Sequence, residues 1–444
     1  MSEIYSYASR AWSELQQFRS DRARCKRYVY GDQWDDPMTF QGHVMTEREF
    51  LRKEGREPLK NNILRRILRN VVGLYRSQYK VPVLSKTGSG ISGTRLRQEN
   101  RRRREWFAKN RMEELSPRLL EEFLISGMVA VKVEDGKISP VTADNFFFHS
   151  DGYDPLGRDI DLIGEVHHVS FGNLMATFCH AASDFHRISR IYGKNGNVNL
   201  PCRITEVWHK ETEVFGFFHD EKNASLSFAK MDEVMDRLTN GGITDEDARG
   251  IGSIVRHQWR QKWFAADGSL LCESESAEMH PYVFKAYPFI DGEVHSYISD
   301  IIDQQRYVNR LITLYDFIMK SSAKGVLLFP DESIPVGMDL QDVADEWGRF
   351  NGVIPFRAKP GVPLPTQVSS NAANIGITEL LKIEMQMLED ISGVSPTLQG
   401  KLETNATSGT LFARQNEAAQ ISLLDVIRSF TDFLSCIAAR TPNQ

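Results

Sequence analysis

The sequence is poor in cysteine and contains none of the short motifs that identify common enzymes. Its five cysteines are odd in number and form no Cys-x-x-Cys pair, which indicates reduced thiols and no disulfide framework. The phosphate loop GxxxxGK(S/T), the nucleophile elbow GxSxG and the zinc helix HExxH are all missing. The acidic residues show no spacing that would assemble a two-metal nuclease. These absences predict a protein that is not an enzyme and needs no cofactor.

A complete set of metal ligands is missing as well. One cluster of metal-ligand residue types is present, and it consists of His167, His168, Cys179, His180 and His186. A zinc site pairs its ligands two to four residues apart in two knuckles, and the second knuckle is absent here. We therefore interpret these five residues as packed or surface side chains and expect no metal.

Long hydrophobic runs are also absent. No window approaches the ~18 to 20 consecutive apolar residues that span a bilayer, and residues 1–19 lack the apolar core of a signal peptide. We expect no membrane association and a chain that stays in the cytoplasm where it is made. With 444 residues, the chain is longer than one hydrophobic core usually organises, so two or more subdomains are expected.

Charge is unevenly distributed, although the whole chain carries a net charge of only -5. Residues 1–110 contain 24 Lys and Arg against 12 Asp and Glu, a net charge of +12, so the remainder carries -17. The arginine run 101–104 beside Trp106 and Phe107 has two interpretations. It is either a phosphate-binding and base-stacking surface, or a solvated or intersubunit salt-bridge face, which is the commoner outcome for such runs.

Two long amphipathic helices are predicted in the C-terminal half. In residues 295–324 the apolar residues recur at helical spacing, at Ile298, Ile301, Ile302, Val308, Leu311, Ile312, Tyr315 and Ile318. Residues 377–391 form a second half-apolar rod. Between the rods lies a short apolar run, GVLLFP, bounded by Gly325 and Pro330. The pattern after it predicts a short helix at DLQDVADEWGRF and a strand at GVIPFRA. The result is two rods joined by a small insert.

The segment 393–409, GVSPTLQGKLETNATSG, has no hydrophobic periodicity and is longer than most loops of compact domains. Its polar side chains suit hydrogen bonding to phosphate without base reading, whereas an ordinary mobile surface loop is the other interpretation. A third helix is predicted from about residue 410 onward.

The N-terminal part combines helices with many short strands. Residues 4–30 are predicted to form one helix, and Asn61 or Asn62 is a candidate N-cap for a second. From residue 127 onward the pattern is strand-like, in MVAVKVE, KISPV, NFFFHSD, EVHHVS, ITEVWHKE, HQWRQKWF, SLLCES and YVFKAYPF. Residues 213–250 form a polar excursion with one predicted helix, MDEVMDRLTNGG. The fold class is therefore α+β.

The order of the C-terminal parts resembles a known family. The succession DQQRYVNRL, GVLLF, DEWGRFNGVIPF, EDISGVSPTLQG and SGTLFARQNEAAQ resembles the second half of tailed-bacteriophage portal proteins, the head-to-tail connectors. The element YGDQW resembles a short helix-turn near the start of many portals. The resemblance implies a ring subunit with an α/β wing, a long helical stem, a small α/β clip and a short C-terminal helical end.

The resemblance also implies boundaries and site residues. The wing would span 1–292, the stem helices 293–322 and 373–392, the clip 323–372, the tunnel loop 393–409, and a C-terminal wing or crown helix 410–444. The residues expected to act are Thr397, Gln399, Lys401, Thr404 and Asn405 in the DNA-facing tunnel loop, Asp303, Arg306, Asn309 and Arg310 in the stem, and Trp347, Arg349 and Phe350 in the clip.

The function implied by the resemblance is a closed homo-oligomeric ring, usually a dodecamer, at the capsid vertex of the virion, assembled in the host cytoplasm. Its channel would pass double-stranded DNA without sequence preference, and its partners would be the terminase large subunit, the major capsid or scaffold protein, and a neck or tail adaptor. Long half-apolar rods independently favour a ring, because neighbouring copies would bury them. Two alternatives are a head-tail adaptor without a DNA channel and a nucleic-acid enzyme of the packaging system.

Overall fold

The computed structural model describes residues 3–85, 93–154, 157–193, 199–220, 225–239, 252–324, 326–349, 352–368, 376–394 and 409–442. The helices in these ranges are α1 (Glu3–Glu14), α2 (Gln16–Tyr30), α3 (Glu47–Lys53), α4 (Ile63–Gln78), α5 (Gly93–Lys109), α6 (Met112–Ser126), α7 (Phe171–Phe178), α8 (Ala182–Tyr192), α9 (Met231–Thr239), α10 (Ser299–Lys324), α11 (Leu340–Gly348), α12 (Ile377–Ser392) and α13 (Gly409–Ala439).

The strands in the same ranges are β1 (Pro37–Phe40), β2 (His43–Thr46), β3 (Met128–Glu134), β4 (Lys137–Val141), β5 (Phe146–Ser150), β6 (Ile160–Ser170), β7 (Pro201–Asp220), β8 (Ser225–Lys230), β9 (Gly252–Phe264), β10 (Leu270–Ala277), β11 (Tyr282–Ala286), β12 (Phe289–Ile290), β13 (Glu293–Val294), β14 (Val326–Leu328) and β15 (Thr366–Val368).

The strand pairs among the described residues are all antiparallel, and the largest sheet has six strands. Its order is β10-β9-β7-β6-β5, and β8 pairs with β7 off this path. A three-stranded sheet has the order β11-β3-β4, and β1-β2, β12-β13 and β14-β15 form two-stranded ribbons. The mixture of helices with antiparallel sheets confirms the predicted α+β class. No helix among the described residues is both long and apolar enough to cross a membrane.

The chain divides into two compact units. Unit 1 comprises Met1–Lys26, Leu68–Ser299 and Gln420–Gln444, and unit 2 comprises Arg27–Ile67 and Asp300–Ala419. Residues 27–67 therefore group with the residues of the two predicted rods and the insert.

Unit 1 has an aromatic core on the strands that the sequence pattern predicts. Phe146 and Phe147 of β5 are fully buried beside Ala8 and Ala11 of α1, because small residues on the inner face of that helix allow close approach to the sheet. A second cluster lies under α7 and α8 and includes Leu174, Phe178 and Ile188.

The polar excursion at 213–250 is in part a continuation of the large sheet. β7 pairs with β6 as far as His209, with β9 as far as Phe217, and with β8 from Phe215 to Asp220. Helix α9 occupies most of the predicted helix. Residues 221–224 and 240–251 lie outside the described ranges.

Unit 2 is organised around α10, whose 26 residues correspond to a length of about 39 Å. Ile301, Ile302, Val308 and Leu311 of the predicted stripe are buried, whereas Tyr315 is 40% exposed, so the stripe packs as predicted in its first three turns. The short helix α11 also lies where it is expected, and it begins with a capping box formed by Asp339 and Asp342. The apolar run GVLLFP contains β14.

Two predictions of local structure are wrong. The helix expected over 4–30 is interrupted at Leu15, because the Arg19 side chain donates to the Trp12 carbonyl at 2.7 Å and takes the place of a helical N–H. The strand expected at GVIPFRA does not form. Pro355 removes one N–H from that segment, Arg357 N–H donates to the Ser333 carbonyl at 2.8 Å, and β15 pairs with β14 instead.

Candidate functional site

An extended segment of unit 2 runs along α10 and is held there by one row of polar side chains. The row consists of Gln305, Asn309 and Thr313, which follow one another at every fourth position and so lie about 6 Å apart on one helix face. Their oxygens accept hydrogen bonds from alternate N–H groups of the segment, those of Ile63, Asn61 and Leu59. The three distances are 3.0, 3.1 and 3.1 Å. Two residues of extended chain advance about 6.6 Å, close to one turn of the row.

The same row supplies the N-terminal cap of α4. The Gln305 side-chain oxygen also accepts from Leu64 N–H at 3.2 Å, and Asn62 Oδ1 accepts from Arg65 N–H at 3.1 Å. The first N–H groups of a helix have no partner within the helix, so a buried helix start requires such acceptors. Asn62 is thus one of the caps predicted from the sequence, and Gln305 is a second cap contributed from more than two hundred residues away.

Gln33 connects the polar row of α10 to Tyr28 and Asn62 by hydrogen bonds. Asn309 Nδ2 donates to Gln33 Oε1 at 2.7 Å, and Gln33 Nε2 donates to the Tyr28 carbonyl at 2.8 Å and to Asn62 Oδ1 at 3.1 Å. Gln305 Nε2 donates to the Asn61 carbonyl and to Asn309 Oδ1. Gln33, Gln305 and Asn309 are at most 1% exposed. Buried amides that satisfy one another in this way specify a single arrangement.

A charged clamp lies on a neighbouring face of α10. The buried carboxylate of Glu47 accepts hydrogen bonds from Arg306 and, at 2.6 Å, from Arg310. Asp36 is held at 3.0 Å by Arg27 and at 2.8 Å by the Tyr28 hydroxyl. Glu47 also opens α3, where a carboxylate is favourable near the helix N-terminus.

Three of the four predicted stem residues therefore lie together and make contacts within unit 2. Arg306, Asn309 and Arg310 all bind the segment 27–67, whereas the side chain of Asp303 is 81% exposed. The sequence reasoning missed Gln305, Gln33 and Glu47. One signal for Gln305 was available, since it is a polar residue within the apolar stripe and one turn before Asn309.

The second rod leaves apolar side chains uncovered in the single chain. Ile383, Met387 and Ile391 occupy every fourth position of α12 and are 47%, 49% and 48% exposed. Leu388 and, just after the helix, Val394 are buried. The insert between the rods is similar, because seven large apolar residues in its described part are exposed: Leu328, Val336, Leu340, Val353, Phe356, Leu364 and Val368. Clusters of exposed apolar side chains mark interaction surfaces.

The predicted clip and tunnel-loop residues are only partly described. Trp347 is half-buried, and the exposed side chain of Arg349 pairs with Glu346 at 2.5 Å. Phe350 and the tunnel-loop residues Thr397, Gln399, Lys401, Thr404 and Asn405 lie outside the described residues.

Unit 1 contains one buried charge cluster that resembles a metal site in composition. Glu165, His167 and Glu206 bring their ligand atoms within 4.8 Å of one another. Glu206 is fully buried and accepts from four different side chains: Lys132 at 2.9 and 3.1 Å, His167 at 2.9 Å, Trp208 at 2.9 Å and Gln261 at 2.6 Å. The Lys132 ammonium already occupies the place that a cation would take, so this cluster is an internal ion pair.

The electrostatics of Glu206 follow from these partners. Burial by itself would raise the pKa of this carboxyl, but the His167 hydrogen bond and the Lys132 charge outweigh it and lower the pKa to about 2. The ionised form therefore stabilises the fold. That contribution is complete above the ordinary pKa of about 4.5 and is lost as the pH falls toward 2.

We expect Glu206→Gln to lower the free energy of unfolding of unit 1 at pH 7 by about 3 kcal/mol, because it leaves the Lys132 charge buried without its main partner. Urea unfolding followed by tryptophan fluorescence measures this change. Glu134→Gln is the matched control, since Glu134 is the exposed carboxylate on the same lysine at 3.2 Å, and it should cost less than about 1 kcal/mol. Equal losses in the two variants would contradict the prediction.

The remaining four residues of the cluster of metal-ligand residue types do not assemble a metal site among the described residues. His168, His180 and His186 are exposed, Cys179 is half-buried, and none of the four belongs to a group of close ligand atoms there. A separate group, His149, Asp151 and Asp161, is tied to α1 by Tyr7, whose hydroxyl donates to Asp161 at 2.6 Å.

The α+β fold and the long helices α10 and α12 agree with the ring subunit that the sequence resemblance implies. A family model described as "Phage P22-like portal protein" matches residues 5–438 of the chain. The chain belongs to the P22-like family of phage portal proteins, which are head-to-tail connectors at the capsid vertex of the virion. No curated protein matches the chain. Membership implies an oligomeric ring that interacts with capsid and terminase.

Proposed function

We propose that this portal protein closes into a dodecameric ring whose channel passes double-stranded DNA during packaging and ejection. The observation that carries the proposal is the apolar surface of unit 2 that the single chain leaves uncovered, on α12 and on the insert between the rods. A head-to-tail contact between identical copies covers such a surface on every copy and closes into a ring when the rotation is a fraction of a full turn.

The docking roles are assigned by position along the chain. The insert 323–372 is the clip, which receives the terminase large subunit during packaging and a neck or tail adaptor afterwards. Its exposed apolar residues suit partners that exchange, because each partner buries them in turn. Unit 1 supplies most of the wing and contacts the major capsid or scaffold protein. The protein itself performs no catalysis, and the packaging motor hydrolyses the ATP.

The polar row Gln305, Asn309 and Thr313 on α10 supports the stem helix in this proposal. A helix that lines a DNA channel must keep its orientation while DNA moves past, and four hydrogen bonds per copy to the segment 59–63 hold it against the body of unit 2. Arg306 and Arg310 add a charge-assisted contact to Glu47. We assign these residues to the support of the stem and not to direct DNA contact.

Direct DNA contact is assigned to the loop 393–409, with Thr397, Gln399, Lys401, Thr404 and Asn405 as the contacting side chains. We expect that replacing 398–407 by a short Gly/Ser linker leaves ring assembly unchanged and abolishes or slows DNA packaging, because the loop has no apolar periodicity to bury. Lys401→Glu should impair packaging more at low salt than at high salt.

An in vitro packaging assay with rings checked by negative-stain microscopy tests this assignment. Thr410→Ala, beside the loop, is the matched control and should package normally. Normal packaging by intact linker rings would remove the loop from the channel, and a loss of rings would make it a structural element. A wild-type protein that stays monomeric at every concentration and salt, with scaffold present, would overturn the ring itself.

A further inference from the structure

Helix α5 presents a strongly basic face that the portal function described above does not use. Its 17 residues include seven basic and two acidic side chains, a net charge of +5. The sequence alone left two interpretations of the arginine run 101–104. The structure separates the helix into an inner face, which contains the two aromatic residues, and an outer face, which carries exposed arginines.

The inner face is occupied by packing. Trp106 and Phe107 are buried, and Trp106 Nε1 donates to the Gly136 carbonyl at 2.7 Å. The Asn100 amide binds both the N–H and the carbonyl of Leu84, at 2.7 and 3.0 Å. The aromatic rings are therefore unavailable for stacking on bases, and single-stranded nucleic acid has no platform here.

The outer face carries a row of arginines. Arg97, Arg101 and Arg104 are exposed and, at spacings of four and three, line up along about 10 Å of helix. Arg101 pairs with Glu105 at 2.7 Å, but both side chains are largely exposed, at 82% and 63%, so the pair contributes little and is readily exchanged. The following helix begins with two glutamates, Glu113 and Glu114, and Glu114 is already paired with Arg111 at 2.5 Å.

We propose that this row, Arg97, Arg101 and Arg104, is a second DNA-binding surface that holds the phosphate backbone of duplex DNA outside any channel. Guanidinium groups match phosphate geometry, and contacts to phosphate alone carry no sequence information. A protein partner is disfavoured, because the row contains no large apolar side chain to form the core of an interface. That the duplex is the phage genome rests on the proposed function, whereas the binding itself does not.

A closed circle of duplex DNA tests the surface separately from the channel, since it cannot be threaded through a closed ring. The affinity of purified full-length protein for a relaxed, covalently closed minicircle is measured by fluorescence anisotropy at several salt concentrations. The triple variant Arg97→Glu, Arg101→Glu, Arg104→Glu should bind at least about tenfold more weakly at low salt, and the slope of log K against log salt should fall by about 2.7. The triple Arg-to-Lys variant at the same positions should keep most of the binding.

The matched control reverses three other exposed arginines of unit 1, Arg10, Arg158 and Arg428, and so changes the net charge equally. Wild-type binding by the α5 triple variant, or an equal loss in the control, would overturn the proposal. Failure of the wild type to bind the circle would also overturn it and would leave an acidic protein as the partner of this face. The proposal is supported if the α5 triple variant loses binding to the circle but packages linear DNA normally. It is also supported if the protein forms no rings and still binds the circle through α5. In that second case the proposed function fails, whereas the DNA-binding surface stands.

Discussion

Gln305→Leu is expected to destabilise unit 2 by about 2 kcal/mol, because it leaves the buried Leu64 N–H without an acceptor and leaves Ile63 N–H with the Asn61 carbonyl alone, at 2.8 Å. In the native structure the Gln305 oxygen accepts from both Ile63 and Leu64, which are 3% and 0% exposed. Leucine has a similar size and introduces no charge, so the loss reports hydrogen bonding more than packing. The Asn61 carbonyl and Asn309 each lose one partner as well.

Hydrogen exchange of peptides that cover 59–68, together with urea unfolding, measures this effect. Protection of the first turn of α4 should fall most, because its cap is removed. Gln304→Leu is the matched control. It lies one residue earlier on the same helix, and its side-chain oxygen is buried without a hydrogen-bond partner, so the change should cost less than about 1 kcal/mol. If the control variant loses as much protection as Gln305→Leu, the cap assigned to Gln305 is incorrect.

Met387→Asp is expected to convert the ring into monomers. Met387 is the middle residue of the exposed apolar row on α12, and a carboxylate buried there would lack a cationic partner from the row itself. A cost of about 3 kcal/mol at each contact raises the dissociation constant of that contact more than a hundredfold. Because the cost repeats at every contact around the ring, closure should fail altogether.

Light scattering coupled to size-exclusion chromatography distinguishes a ring of 50.6 kDa chains from free chains. Gln386→Asp is the control, because Gln386 is also exposed and belongs to the same helix but not to the apolar row. Rings of unchanged mass in the Met387→Asp variant would show that α12 does not contribute to the interface. Loss of rings in both variants would indicate a general sensitivity of the helix to negative charge.

The elements that sequence reasoning recovered are those in which one local pattern decides the outcome. The stripe of α10, the strands at MVAVKVE and NFFFHSD and the Asn62 cap each depend on residues within a few positions of one another. The errors arose where a distant or side-chain group intervened. The Arg19 side chain binds the Trp12 carbonyl that would have continued the first helix, and Arg357 N–H in the expected strand 352–358 donates to the Ser333 carbonyl.

The candidate site shows the same division. Asn309, Arg306 and Arg310 were selected because they lie on a long helix of a recognisable succession, but their partners Gln33, Glu47 and Asn61 are at least 248 residues away in the chain. The basic face of α5 was visible as a run of charge. Burial of Trp106 and Phe107 removed the stacking interpretation, and burial depends on tertiary packing that the local sequence does not reveal.

The sequence by itself determined the rods, the α+β class, the resemblance to portal proteins and the absence of familiar catalytic motifs, because periodicity, capping and motif spacing act over short distances. The tertiary structure alone decided that residues 27–67 group with 300–419. The physical reason is a match of lengths: extended chain advances by two residues as α10 advances by one turn, so Leu59, Asn61 and Ile63 meet Thr313, Asn309 and Gln305. The backbone N–H groups and the side-chain oxygens would each lack a hydrogen-bond partner if they were buried separately. Their pairing within the fold makes their burial favourable.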